Sequence, residues 1–336
     1  MNAALGTAAP PTLEQARSLR DIIATDATGR GAVSALCSAE VLLAAAERLA
    51  EAEWVFIVTG FRVGPQAKPE TDGPGGAVML ARALNILGWF FRGDFIPQFR
   101  AAVVTDEACY DAVNACANSV IKPPIVALAS SPEWFSQRRV LPPIYSQCPL
   151  RPAAKEVLVF IERPGRALDG SYYDMKGRDI SPVSAPLDMA ARDAMAAGIP
   201  VIGIGDGGNE AGMYAIHKDL SERLPDYAPH LSGVPSDYCI PADTSNWGAY
   251  ALVALLSVYA GGWIGPCEYE EGEMLEALLK RGALDGYSLS SVPRVDGVPY
   301  SALQDKIASM KAWHASIKNG QSSTSGQSST SGQLGA

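Results

Sequence analysis

Apolar positions follow two rhythms along the chain. Short continuous apolar runs at 54–60, 101–105, 125–128, 156–161, 199–204 and 238–240 predict buried β-strands. Between and around them, apolar residues recur at i, i+3 and i+4. That spacing predicts helices over 13–24, 32–52, 77–87, 106–119, 186–197 and 213–220, then over 247–259, 271–281 and 301–317. Strands alternating with helices imply an α/β fold, a mostly parallel sheet with helices on both faces in three αβα layers. The run at 247–259 is too short for the ~18 apolar residues of a membrane span and reads as a buried helix, either core or the interface of a homo-oligomer.

The ends and one internal stretch break these rhythms. Residues 1–12 are expected to be flexible, with Thr12 able to cap the first helix, and 13–318 to form one α/β domain. Residues 319–336 repeat a Ser/Gly-rich unit of six residues, expected to be a flexible tail. The Pro-rich stretch 130–154, with Arg138 and Arg139, predicts an excursion beside the sheet.

Composition narrows the function classes. Of 336 residues, 48% are apolar and 19% charged, enough for a sizeable core. The net charge of −9 and the lack of a Lys/Arg cluster argue against nucleic acid as a partner. Six scattered cysteines form no CxxC pair and read as reduced thiols. Neither a signal-peptide core nor an Arg-rich transit pattern opens the sequence, so a cytoplasmic, non-membrane protein is expected.

The chemistry gathers where predicted strands end. The strand at 199–204 runs into Gly205-Asp206-Gly207-Gly208-Asn209-Glu210-Ala211-Gly212, the strand at 156–161 into Glu162-Arg163-Pro164-Gly165, and the strand at 54–60 into a long polar loop holding Glu70 and Asp72. In an open α/β sheet such ends line one crevice. Carboxylates crowded there repel one another unless a cation or a shared proton offsets the charge. An oxygen-only donor set of Asp72, Asp206, Asn209 and Glu210 points to Mg²⁺ or Mn²⁺, with Ca²⁺ a third candidate. The plainer alternative is a tight turn in which Asp206 or Asn209 merely caps a helix. Asp106 reads as a helix cap, and either Asp243 or Ser245 as the cap of the helix at 247–259. Cys239 reads as a buried thiol rather than a nucleophile.

Thr71-Asp72-Gly73-Pro74-Gly75-Gly76-Ala77, Glu162-Arg163-Pro164-Gly165 and the loop from Gly203 to Met213 together resemble the D-glutamate cyclase-like C-terminal domain family over roughly 30–285, as a stand-alone member of bacterial type. Tyr214 stands where the family pattern leads one to expect glycine. The resemblance implies a hydro-lyase acting on a small amino-acid or carboxylate substrate, closing D-glutamate to 5-oxo-D-proline with loss of water. It casts Glu162 or Asp174 as proton acceptor. Arg163, or the helix start after Gly75-Gly76, would hold the substrate carboxylate, with Thr71 and Asn246 beside it. Two other readings stay open from the residues: a metal-dependent hydrolase of a lactam or phosphate ester, and a non-catalytic metal- or metabolite-binding protein.

Overall fold

Seven strands form the central sheet of the computed structural model, which describes residues 9–92, 100–129, 131–137, 140–141 and 155–325. In chain order they are β1 (Trp54–Thr59), β4 (Ala101–Thr105), β5 (Ile125–Ala129), β6 (Val140–Leu141), β7 (Glu156–Ile161), β8 (Val201–Gly205) and β9 (Tyr238–Pro241). Two small hairpins lie outside it, β2 (Arg62–Val63) with β3 (Lys68–Pro69) and β10 (Arg294–Val295) with β11 (Val298–Pro299). The spatial order is β6-β5-β4-β1-β7-β8-β9, parallel except for the antiparallel edge strand β6. All six predicted strands are present, and the expected three-layer α/β architecture holds.

Successive side chains of a strand point to opposite faces, so strands covered on both sides read as continuous apolar runs. In β1, Val55 and Ile57 enter one core while Phe56 and Val58 enter the other; in β7, Val157 and Val159 oppose Leu158 and Phe160. The thinner layer holds Trp134 and Phe135 and α6 (Met189–Ala196). The thicker layer holds α1 (Leu13–Ile23), α3 (Ala39–Glu51), α4 (Pro74–Arg92), α5 (Glu107–Asn118), α8 (Ser245–Tyr259), α9 (Glu268–Lys280) and α10 (Tyr300–Ser325). Helix α8 is apolar all round and buried from Ser245 to Val258, as a helix covered on every side must be. No described helix is long and apolar enough to cross a membrane.

Some boundaries differ from expectation. The single helix over 32–52 is broken into α2 (Gly31–Ser34) and α3. The cause is Ser38, whose backbone is extended and whose Oγ accepts the Val41 N–H at 3.2 Å, starting a new helix. The helix over 213–220 is a 3-10 turn, Met213–Ile216, followed by α7 (His217–Arg223), whose Leu220 is buried in a small third cluster with Met213 and Leu231. Helix α10 continues past 319 to Ser325, while 326–336 lie outside the described residues. So do residues 1–8 and most of the excursion at 130–154, including Arg138 and Arg139. Thr12 caps α1 in a reciprocal box with Gln15.

Candidate active site

From β1 the chain first builds outward through β4 and β5, then returns to place β7 on the other side of β1 and continues to β8 and β9. Connections therefore diverge between β1 and β7, the topological switch point where open α/β sheets form ligand crevices at the carboxyl ends of strands. Asp72 follows β1 and its hairpin, Glu162 follows β7 and Asp206 follows β8. One carboxylate oxygen from each lies within 4.8 Å of the other two, and all three residues are buried.

Local chemistry fixes each of them. Asp72 sits at the start of α8: its Oδ2 accepts the Ser245 N–H at 2.7 Å and its Oδ1 the Asn246 N–H at 2.9 Å. Asn246 returns the arrangement, its Oδ1 accepting the N–H groups of Gly73 (3.1 Å) and Gly76 (2.6 Å) at the start of α4. Two helix N-termini are thus capped by each other's first residues. Gly73 has φ +94°, and a Cβ there would stand 2.5 Å from the Glu162 Cβ, so only glycine lets this turn approach β7. Glu162 has a left-handed backbone, φ +44°, costly for a side-chain-bearing residue, and accepts the Ser245 hydroxyl at 2.6 Å.

The glycine-acid loop after β8 caps no helix with its acids or its amide. The 3-10 turn Met213–Ile216 begins after Gly212 with no side-chain cap. Glu210 instead closes its own loop, accepting the Gly207 and Gly208 N–H groups at 2.8 Å each. Asn209 donates to the Tyr173 carbonyl at 2.9 Å. Gly203 and Gly212 meet backbone to backbone, which folds the loop back onto β8.

Several expected residues are committed elsewhere. The Arg163 guanidinium is 1% exposed and points inward, to Asp106 (2.6 Å), the Gly60 carbonyl (2.9 Å) and the Ala185 carbonyl (2.5 Å). Asp106 both caps α5 through the Cys109 N–H and takes this ion pair. Thr71 donates to the Arg294 carbonyl at 2.8 Å. Asp174 is held by the Lys176 and Arg178 N–H groups and the Arg178 guanidinium of its own loop. A Gly75 Cβ would meet the Tyr250 hydroxyl at 2.9 Å, so this glycine packs against α8. The cap of α8 is Thr244 rather than Asp243 or Ser245, because Asp243 binds the 25–27 backbone and the Ser245 hydroxyl is given to Glu162. Cys239 is buried, and that burial pushes its thiol up to about 12, away from nucleophilic use.

Two residues, Arg30 and Asp296, join the centre without a motif to announce them, beside Glu70 of the polar loop after the first strand. Arg30, before α2, reaches Asp206 (2.9 Å) with one terminal nitrogen and Asp296 (2.6 Å) with the other. Asp296 lies in the turn between β10 and β11 at φ +51°, and Glu70 sits just after β3. Glu70, Glu162, Asp296, Asn209, Asp174 and Arg30 all line one cavity of about 520 Å³, with Lys176, Arg178, Met175 and Tyr287 also in its wall. A second cavity of about 580 Å³, near Arg62 and Asp106, contains none of the clustered carboxylates.

Burial sets the electrostatics. Asp72 is pushed up to about 8 by burial and by Asp296, against three backbone N–H bonds. Burial first, then neighbouring acids, holds Glu70 and Glu162 well above the usual carboxylate range. Burial also raises Asp206, against the pull of Arg30, and raises Glu210, against its N–H bonds. Asp296 moves the other way. Burial pushes it up, but Arg30 and the bonds from Asp206 and Glu70 outweigh that and hold it below the usual range.

The donor set suits a hard cation. The Asp206 Oδ2 and the Asn209 Oδ1 are buried without a hydrogen-bond partner, and the three clustered ligand atoms are all carboxylate oxygens. The triad of Asp72, Glu162 and Asp206 could therefore hold a metal ion.

The family described as D-glutamate cyclase-like, C-terminal, matches residues 19–311, and the chain belongs to it. The chain is also similar to the human protein named D-glutamate cyclase, mitochondrial, with 29% identity over 322 residues, covering 85% of this chain and 50% of the human one. It thus spans about half the length of that curated relative.

Proposed function

We propose that this chain is a hydro-lyase of the D-glutamate cyclase type, interconverting D-glutamate and 5-oxo-D-proline or carrying out the same dehydration on a closely related amino-acid carboxylate. The observation that carries the reading is a buried carboxyl cluster at the sheet's switch point, whose Glu162 lines a cavity of about 520 Å³ together with Glu70 and Asp296, in a chain of this family.

Ring closure forms a bond between the α-nitrogen and the carbon of the γ-carboxylate (Cδ) and breaks one of that carboxylate's C–O bonds, with water leaving. The ammonium must lose protons and the departing oxygen must gain them. Glu70 and Asp296 touch, both line the cavity, and their environments push them in opposite directions. Such pairs mark an acid and a base. Asp296, kept ionised by Arg30, accepts a proton from the substrate ammonium; Glu70, kept protonated by burial, delivers one to the leaving oxygen. Asp72, Glu162 and Asp206 would hold a divalent cation, with Asn209 and Glu210 beside them. Bound there, it would polarise the γ-carboxylate as a Lewis acid. Burial of the cluster keeps bulk water from competing with these proton transfers.

The test is a substrate panel followed by NMR, run on chelator-treated protein and on the same protein with Mg²⁺ or Mn²⁺ restored. Interconversion of D-glutamate and 5-oxo-D-proline, rising with the cation, is the expected result. Phosphate release from simple esters with no such interconversion would replace this reading with a hydrolase. Saturable ligand or metal binding with no turnover of any panel member would leave a binding protein.

A further inference from the structure

A dicarboxylate entering this cavity faces Glu70, Glu162 and Asp296, with Asp206 behind them. Like charges repel, so a cation must receive at least one substrate carboxylate. The two receivers expected from the sequence are already occupied. Arg163 is spent on Asp106 and two carbonyls, and the Gly73 and Gly76 N–H groups of α4 are spent on Asn246. Three cations line the cavity: Arg30, Lys176 and Arg178. Lys176 and Arg178 are exposed, and the Arg178 guanidinium is drawn back onto Asp174. Exposed, screened charges attract a ligand without fixing it.

Arg30 is different in kind. Its side chain is only 20% exposed, and each terminal nitrogen is anchored on a buried carboxylate. A guanidinium carries more N–H donors than these two bonds use, in a rigid fork suited to carboxylates. The segment that delivers it is clamped from two sides. The Asp243 carboxylate, just past β9, accepts the Thr25 N–H and hydroxyl (both 2.7 Å), the Asp26 N–H (3.0 Å) and the Ala27 N–H (3.2 Å). The Lys306 ammonium of α10 donates to the Ile22 carbonyl (2.6 Å) and to the Thr25 hydroxyl. Asp26 in turn accepts the Gly31 N–H at 2.6 Å, setting the turn that carries Arg30.

We propose that Arg30 is the specificity-determining residue of the site, holding the substrate carboxylate that does not react, and that Asp243 is the positioning residue behind it. The inference rests on the cyclase reading, so its test separates the two. Binding of 5-oxo-D-proline and of its carboxamide, which lacks the anion, is measured by calorimetry on wild type, Arg30→Gln and Arg30→Lys, alongside KM and kcat for D-glutamate. Thermal unfolding confirms that each variant is folded.

Wild type is expected to prefer the carboxylate to the amide, and Arg30→Gln to lose ~10–100-fold on the carboxylate alone, the range of a charge-assisted pair. Its loss should appear in KM, with kcat falling as well because Asp296 loses the cation that keeps it ionised, and Arg30→Lys should recover part of both. A purely structural role would weaken both ligands alike. Wild-type turnover with an unchanged carboxylate-to-amide ratio in Arg30→Gln overturns the inference and leaves the cyclase reading standing. An Arg30-dependent ratio without turnover supports the inference and removes the reading. No binding of either ligand by wild type overturns both. Where Arg30→Gln does not fold, Asp243→Asn supplies the variant: it keeps the guanidinium and loosens its clamp, and an unchanged ratio there also overturns the proposal.

Discussion

At the residue scale, a side chain's neighbours decide its role more than its type does. Arg163 and Arg30 are both guanidiniums at the sheet's carboxyl edge, yet one is sealed inside and the other faces the cavity. Glu162 and Asp206 were legible because each stands just beyond an apolar run, and Asp72 because it lies in the long polar loop that follows one. Arg30 and Asp296 were not, since they come from loops at opposite ends of the chain and carry no periodic signal. Glu271 offers an independent check on the effect of burial. It accepts the Tyr250 hydroxyl at 2.5 Å. Burial, partly relieved by that bond, pushes it from the ordinary 4.5 up to about 7. The folded chain then holds a proton that the unfolded chain has lost. Its stabilising contribution is complete below 4.5 and lost as pH rises through 7. Glu271→Gln should therefore flatten part of the stability decline between about pH 5 and 8, on the order of 1–3 kcal/mol, in urea titrations at both pH values. An unchanged slope would mean that the glutamate is already ionised at pH 5.

At the element scale, the site is a product of how helices start. Helices α4 and α8 begin at the same point above the sheet and satisfy each other's free N–H groups through Asp72 and Asn246. The triad's Asp72 is therefore held by the same bonds that start α8, linking helix stability to site geometry. Asn246→Ala should cost ~1–2 kcal/mol, seen as a lower urea midpoint with an unchanged m-value, because the buried Gly76 N–H loses its acceptor and the Gly73 N–H is left with Asp72 alone. A loss within about 0.3 kcal/mol would show that the amide is dispensable to α4. Element positions were well marked by hydrophobic period, but caps were less so. Three polar residues stand in a row at the start of α8, and only tertiary contacts decide that Thr244 caps while Asp243 and Ser245 serve neighbours. The break before α3 was hidden for a related reason: Ser38 interrupts an Ala-rich pattern without a proline or glycine to mark the stop.

At the scale of the whole molecule, strand order brings the three acidic strand ends together. Alternating strands and helices implied a parallel sheet, but the sequence pattern holds no record of which strands are neighbours. The order β4-β1-β7-β8 puts the divergence of connections between β1 and β7, so that Asp72 and Glu162 face each other and Asp206 stands one strand further on. Membership of the D-glutamate cyclase-like, C-terminal family fits this arrangement. These carboxyls are proposed to form the reaction centre. The most direct measurement of that role is the rate of D-glutamate formation from 5-oxo-D-proline by wild type and by Asp206→Asn, with circular dichroism confirming equal folding. A loss of at least about 100-fold in kcat is expected for the variant, the scale of removing one electrostatic group from a buried site. Equal turnover by the two proteins would contradict that role.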